Sequence, residues 1–128
     1  MSLTDIDPAL GVMGEFGQIT KGTAKHISQM RQDAIFAEGA VPARYKALAA
    51  VLWAVSARCE PCFKFYVHQA VRFGASKAEL GEFLAVASTM GGCVGEMWAL
   101  KAFKAYKDLA NGEETTVKEE EAGCCSSH

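Results

Sequence analysis

Two thiols three residues apart, Cys59 and Cys62, open the run Cys-Glu-Pro-Cys-Phe-Lys-Phe-Tyr-Val-His-Gln-Ala-Val-Arg-Phe-Gly that ends at Gly74. The thiolate is the reactive form of cysteine, and a thiol at a helix N-terminus ionises more readily because it feels the positive end of the helix dipole. Pro61 marks such a start, since proline has a preset φ and lacks the amide hydrogen that would find no partner in a first helical turn. Cys59 and Cys62 would then lie one turn apart on one face, close enough to form a disulfide after modest adjustment. Glu60 is the nearest acid, and a carboxylate beside a thiol opposes its ionisation. The competing reading is two small buried residues that merely pack. Spacing and helix-start placement favour redox chemistry.

The other cysteines are read against this pair. There are five in all, an odd number, in a chain without an export signal, which points to reduced or redox-active thiols rather than a disulfide framework. Cys93 follows Gly91-Gly92 and is read as a core residue, with resolution of an oxidised thiol as the alternative. Cys124-Cys125 sits in an acidic segment with little to bury, where two thiols suit accessory redox chemistry or capture of a soft metal or metalloid. A zinc site would want four ligands, and Cys93, His68, His26 and the tail pair do not repeat a paired spacing. The ending Cys-Ser-Ser-His lacks the aliphatic residues of a prenylation signal.

The elements that must position the pair fit one domain. The 128 residues, half of them apolar, suffice for one sizeable core and not for two independent ones. A net charge of -2, from 13 basic and 15 acidic residues, offers no basic field for nucleic acid. The start Met-Ser-Leu-Thr-Asp-Ile-Asp-Pro has neither a basic n-region nor an apolar h-region, so the cytoplasm is the expected compartment. The longest near-continuous apolar run, Ala47 to Ala57, falls well short of the roughly 20 residues of a membrane helix and is read as a buried core helix, with no membrane partner expected.

Along the chain, Asp7-Pro8 is a helix start, followed by Leu10, Val12, Met13 and Phe16 and weakened by glycines 11, 14 and 17. A second helix is expected from Thr20 or Thr23 to Gly39, with Ile27, Met30, Ala34 and Ala37 on one stripe. The third, from Pro42 to about Ala57, is apolar nearly all round and central. The thiol helix runs to Gly74, and Ser76-Lys-Ala-Glu79 is a capping box for a helix carrying Leu80, Phe83, Leu84 and Ala87 that stops at Gly91-Gly92. The last helix sets Trp98, Ala102, Ala105, Tyr106 and Leu109 against Lys101, Lys104 and Lys107 and is expected to end near Asn111-Gly112. Trp53, Trp98 and Phe83 are read as core residues. Residues 1–112 thus form an all-α domain of about six helices, and 113–128 a flexible acidic tail.

Taken together, Pro42-Ala-Arg-Tyr-Lys-Ala-Leu-Ala, Arg58-Cys-Glu-Pro-Cys62, Phe73-Gly-Ala-Ser76, the helix start at Glu79 to Glu82 and Gly91-Gly92 resemble the AhpD-like, or carboxymuconolactone decarboxylase, family over about residues 38–108. The resemblance implies an all-helical fold in trimers or hexamers. In the peroxidase branch it implies that Cys62 attacks a hydroperoxide, that Cys59 resolves the sulfenic acid to a disulfide, and that a thiol reductant restores the pair without an organic cofactor. That branch also has a relay, a glutamate twelve residues before the first cysteine and a histidine four after the second. Here those positions hold Ala47 and Tyr66. At about 100° per residue Tyr66 lies about 40° from Cys62 and about 20° from Cys59, whereas His68 is about 120° and about 180° away and is no simple substitute. A phenol donates a hydrogen bond but is a poor base near neutrality, and Tyr66, like Glu60, is a candidate site residue beside the two thiols. Three alternatives stand beside the peroxidase reading. One is a soft metal or metalloid protein using Cys59, Cys62, Cys124 and Cys125; the others are a decarboxylase-branch member and a redox-inactive scaffold.

Overall fold

The computed structural model describes residues 3–119, and every regular element among them is helical. The six α-helices are α1 (Leu3–Ile6), α2 (Met13–Ile19), α3 (Thr23–Ala34), α4 (Ala43–Ser56), α5 (Glu60–Arg72) and α6 (Lys77–Glu119), with a 3-10 turn at Pro8–Val12. Asp7 caps that turn through Oδ1, which accepts from the Ala9 N–H at 2.9 Å, and Pro8 takes the first helical position. The expected start is therefore present, as a 3-10 turn that passes into α2.

The core is a seam between α4, α5 and α6. From α4 come Ala47, Leu48, Val51, Ala54 and Val55, at the three- and four-residue spacing that gathers side chains on one helical face. Their alanines let α5 approach closely, and Phe63, Val67 and Ala70 fill the far side. Leu80, Leu84, Ala99 and Ala102 of α6 close the seam, and Phe63 meets Trp98 edge-on at 6.3 Å. Each large side chain buried this way contributes about 1.5–3 kcal/mol relative to exposure.

Helix α6 is broken where the glycine pair is. Gly92 has φ 62 and ψ -146, outside helical geometry and in the region that glycine alone adopts freely. Segments 77–91 and 93–119 then pass so close that a methyl at Gly95 would collide with the Ala87 carbonyl oxygen.

Three expectations are corrected. Helix α3 ends at Ala34, not Gly39: the amides of Ile35 and Phe36 both donate to the Arg31 carbonyl, and the chain turns so that Phe36 stacks on Phe73 at 5.5 Å. On α3 itself, Ile27 and Met30 are exposed. Trp53 is 71% exposed, because α4 is apolar all round yet packs on one side only among the described residues. The last helix continues past Asn111-Gly112 to Glu119, since one glycine costs a helix interior only about 1 kcal/mol.

Candidate functional site

The joint between α4 and α5 places the thiols. The Arg58 amide donates to Val55 O at 3.0 Å and the Cys59 amide to Ala54 O at 2.9 Å, the paired bonds of a Schellman turn. Arg58 occupies its left-handed position with φ 58. Cys59 is thus the last residue of one motif and the first of the next. Its backbone is extended, φ -103 and ψ 100, and it is the N-cap of α5, its carbonyl accepting from the Phe63 amide at 3.0 Å.

Glu60, Pro61 and Cys62 then fill the first turn, so Pro61 stands where a missing N–H is harmless. The amides of Glu60 and Cys62 have no partner within the helix and make its start, where both cysteines sit, the positive end of the helix dipole. Cys59 and Cys62 are joined as a disulfide, with Cα atoms 5.2 Å apart and both residues half-buried. The adjustment expected from the sequence is the extended N-cap, which turns Cys59 toward Cys62.

One turn further, Tyr66 is half-buried beside Phe65, at 5.0 Å, and Phe36, at 6.2 Å. Its hydroxyl oxygen accepts a hydrogen bond from Arg31 Nε at 2.8 Å. Arg31 comes from α3 and was not among the residues singled out by motif. The sequence did carry one signal: with Ile27, Met30 and Ala34 it completes an i, i+3, i+4, i+7 stripe, a charged residue on an otherwise apolar face. The guanidinium also lies 5.8 Å from the Phe65 ring centre.

The remaining candidates fall elsewhere. Glu60 is exposed, and its carboxylate is held by Lys64 at 2.9 Å in a shallow groove that Met97 and Leu100 of α6 also line. Ala47 is fully buried against α5, so the position that the family resemblance gives to a relay glutamate is core packing here. His68 is half-buried on another side of α5. Cys93 is exposed, contrary to the expectation of a core residue, because the break at Gly92 puts it at the outer turn of α6. Cys124 and Cys125 lie outside the described residues. Among those described, no group of three or more His, Cys, Asp or Glu side chains is arranged to hold a metal ion.

The joint between α5 and α6 carries a capping box with an ion pair beside it. The Ser76 amide donates to Glu79 Oε1 and the Glu79 amide to Ser76 Oγ, each at 3.0 Å, completing the expected capping box. Hydrogen bonds from the Ser76 amide and from Tyr45, with Arg44 alongside, hold the Glu79 carboxyl below its ordinary value despite partial desolvation. The Arg44 guanidinium is raised, chiefly by its bond to the Tyr45 hydroxyl.

An all-helical domain with a cysteine pair at the start of α5 defines the class. Residues 22–105 match the Carboxymuconolactone decarboxylase family, and the chain belongs to that family. It is 37% identical over 109 residues to an uncharacterised protein of Cupriavidus necator, covering 85% of this chain and 92% of that one. Its fold resembles the crystal structure of an apo carboxymuconolactone decarboxylase family protein from Legionella pneumophila, with a TM-score of 0.75 and 27% identity, covering 84% of this chain and 96% of the other. The family includes both AhpD-type peroxidases and decarboxylases.

Proposed function

We propose that the protein is a thiol-disulfide redox enzyme of the peroxidase type, reducing hydroperoxides through Cys59 and Cys62. The observation that carries this reading is the disulfide itself, formed by two half-buried cysteines at the amide end of α5. Decarboxylation needs a general acid and base aimed at a lactone or acid substrate, not a pair of cysteines, so the pair favours the redox branch. Cys62 attacks the peroxide and becomes a sulfenic acid; Cys59 displaces the oxygen as water and closes the disulfide; an external thiol reductant reopens it. No organic cofactor takes part. Lys64 pairs with Glu60 and so offsets the carboxylate that would otherwise oppose thiolate formation.

The same reading includes a homo-oligomer, a trimer or hexamer. Trp53, Val86, Met90, Val94, Met97 and Leu100 are exposed large apolar side chains on α4 and α6, more than a monomer keeps in water without a partner. By length and composition the stretch Lys77–Gly112 would also suffice to cross a membrane. The break at Gly92 and the charges Glu96, Lys101 and Lys104 favour a subunit contact instead.

The test is hydroperoxide consumption with dithiothreitol as reductant, comparing the unaltered chain with Cys59→Ser and Cys62→Ser. Cys62→Ser should abolish turnover, and Cys59→Ser, reduced and then freed of dithiothreitol, should stop after one equivalent with a sulfenic acid that dimedone captures on Cys62. Turnover that survives both substitutions would place the chemistry elsewhere. Light scattering on the same samples reads the subunit number, and a monomer at micromolar concentration would contradict the assembly.

A further inference from the structure

Tyr66 and Arg31 form a second, unassigned part of the site. In a helix, long side chains lean toward the N-terminus and over the residue four positions back, which for Tyr66 is Cys62. The Arg31 Nε–H points at the Tyr66 oxygen at 2.8 Å, so that oxygen is an acceptor and its own proton remains to be given. Among the described residues that proton has no acceptor, and no carboxylate lies within ion-pair distance of Arg31. A half-buried guanidinium without a carboxylate, directed at a phenol one turn from a reactive sulfur, suits a negative charge that arises during a reaction.

We infer that Tyr66 is the proton donor to the oxygen that leaves when Cys62 is oxidised, and that Arg31 is the positioning residue that aims the phenol and stabilises its anion. The inference rests on the dithiol reading above. The Cys62 thiolate attacks the terminal oxygen of an alkyl hydroperoxide; a sulfur–oxygen bond forms, the oxygen–oxygen bond breaks, and the alkoxide leaves with the electron pair. The alkoxide takes the Tyr66 proton and departs as the alcohol. Cys62 is now a sulfenic acid, oxidised by two electrons, and the peroxide is reduced by two. The tyrosinate, held by Arg31, takes the thiol proton of Cys59. The Cys59 thiolate attacks the Cys62 sulfur and expels hydroxide, which solvent protonates, leaving the disulfide and a neutral Tyr66 ready for the next cycle. A tyrosine can thus serve where a histidine relay is missing, because the proton it gives to the alkoxide is returned by the second thiol rather than drawn from bulk water.

The substrate class follows from this chemistry. A leaving group that is a strong base, the alkoxide of an alkyl hydroperoxide, needs the proton. The carboxylate released from a peracid does not. The experiment measures, on the full reduced chain, the rate of Cys59–Cys62 disulfide formation with cumene hydroperoxide and with peracetic acid, for the unaltered protein and for Tyr66→Phe, Arg31→Met and Arg31→Lys. General acid catalysis is typically worth ~10²–10⁴-fold, so Tyr66→Phe should slow the cumene reaction by at least ~10-fold and leave the peracid rate within about 2-fold. Arg31→Met should follow Tyr66→Phe, and Arg31→Lys, which keeps a cationic donor, should recover much of the loss. Equal slowing with both oxidants would mean that Tyr66 and Arg31 only support the fold, and would overturn the inference while leaving the dithiol reading intact. An unaltered chain that forms no disulfide with either oxidant would sink the dithiol reading itself, and the role of Tyr66 with it.

Discussion

At Arg58 and at Gly74 the chain leaves a helix by the same pair of hydrogen bonds, 55-to-58 and 54-to-59 at one joint, 71-to-74 and 70-to-75 at the other. Both turning residues have positive φ, 58 for Arg58 and 98 for Gly74. Glycine adopts that conformation freely, whereas an L side chain pays roughly 1–2 kcal/mol for it. The joint behind α5, which leads only into a capping box, has the unstrained solution. The joint in front of α5, which delivers Cys59 to its N-cap position, keeps an exposed arginine in a conformation it resists. Local strain of this kind persists where the surrounding structure needs the residue for something besides the turn. Arg58 directly precedes Cys59 in the chain, and a cation that reaches the sulfur of the reduced protein would favour its thiolate, which would supply such a reason.

The glycine joint gives the largest expected effect. Gly74→Ala forces a methyl-bearing residue into φ 98 with open space around it, so backbone strain alone sets the loss, about 1–2 kcal/mol, read as a lower midpoint in urea with the slope unchanged. Arg58→Gly removes strain but frees the unfolded chain, and the two effects leave a gain of up to about 1 kcal/mol. In the same variant, alkylation of reduced Cys59 by iodoacetamide near neutral pH should slow by about 2- to 5-fold, since the thiolate loses its neighbouring cation. Faster alkylation, or a less stable protein, would mean that Arg58 is held by contacts unrelated to the thiols.

The smallest effect is at the capping box. The folded carboxyl of Glu79 sits below its ordinary range, chiefly through the Ser76 amide, so its contribution to stability is present above the unfolded-state value and is lost as pH falls through the lowered folded value. The midpoint of thermal unfolding should therefore drop on acidification more for the unaltered chain than for Glu79→Ala. Parallel curves for the two would show that the carboxylate adds nothing beyond what water supplies.

Much of this was legible in the sequence where local chemistry decides. Pro61 located the start of α5, Gly74 its end, Ser76 with Glu79 the cap of α6, and Gly91-Gly92 the break, because each is a backbone requirement that its own residue meets. Where tertiary packing decides, the pattern misled. Trp53 and Cys93 look like core residues by composition, but α4 has neighbours on one side and Cys93 follows the break, so both face outward. Tyr66 was visible as a neighbour of Cys62, whereas Arg31 was not. Its bond to Tyr66 spans 35 residues and follows from the early turn at Ile35 and Phe36, which no spacing rule records.

The most direct measurement of the central claim is peptide mapping of the fully reduced chain after brief exposure to one equivalent of an alkyl hydroperoxide. A Cys59–Cys62 disulfide that forms first and quantitatively, with Cys93, Cys124 and Cys125 still alkylatable, is the expected result. Oxidation confined to Cys93 or to Cys124 and Cys125, with Cys59 and Cys62 still reduced, would contradict it.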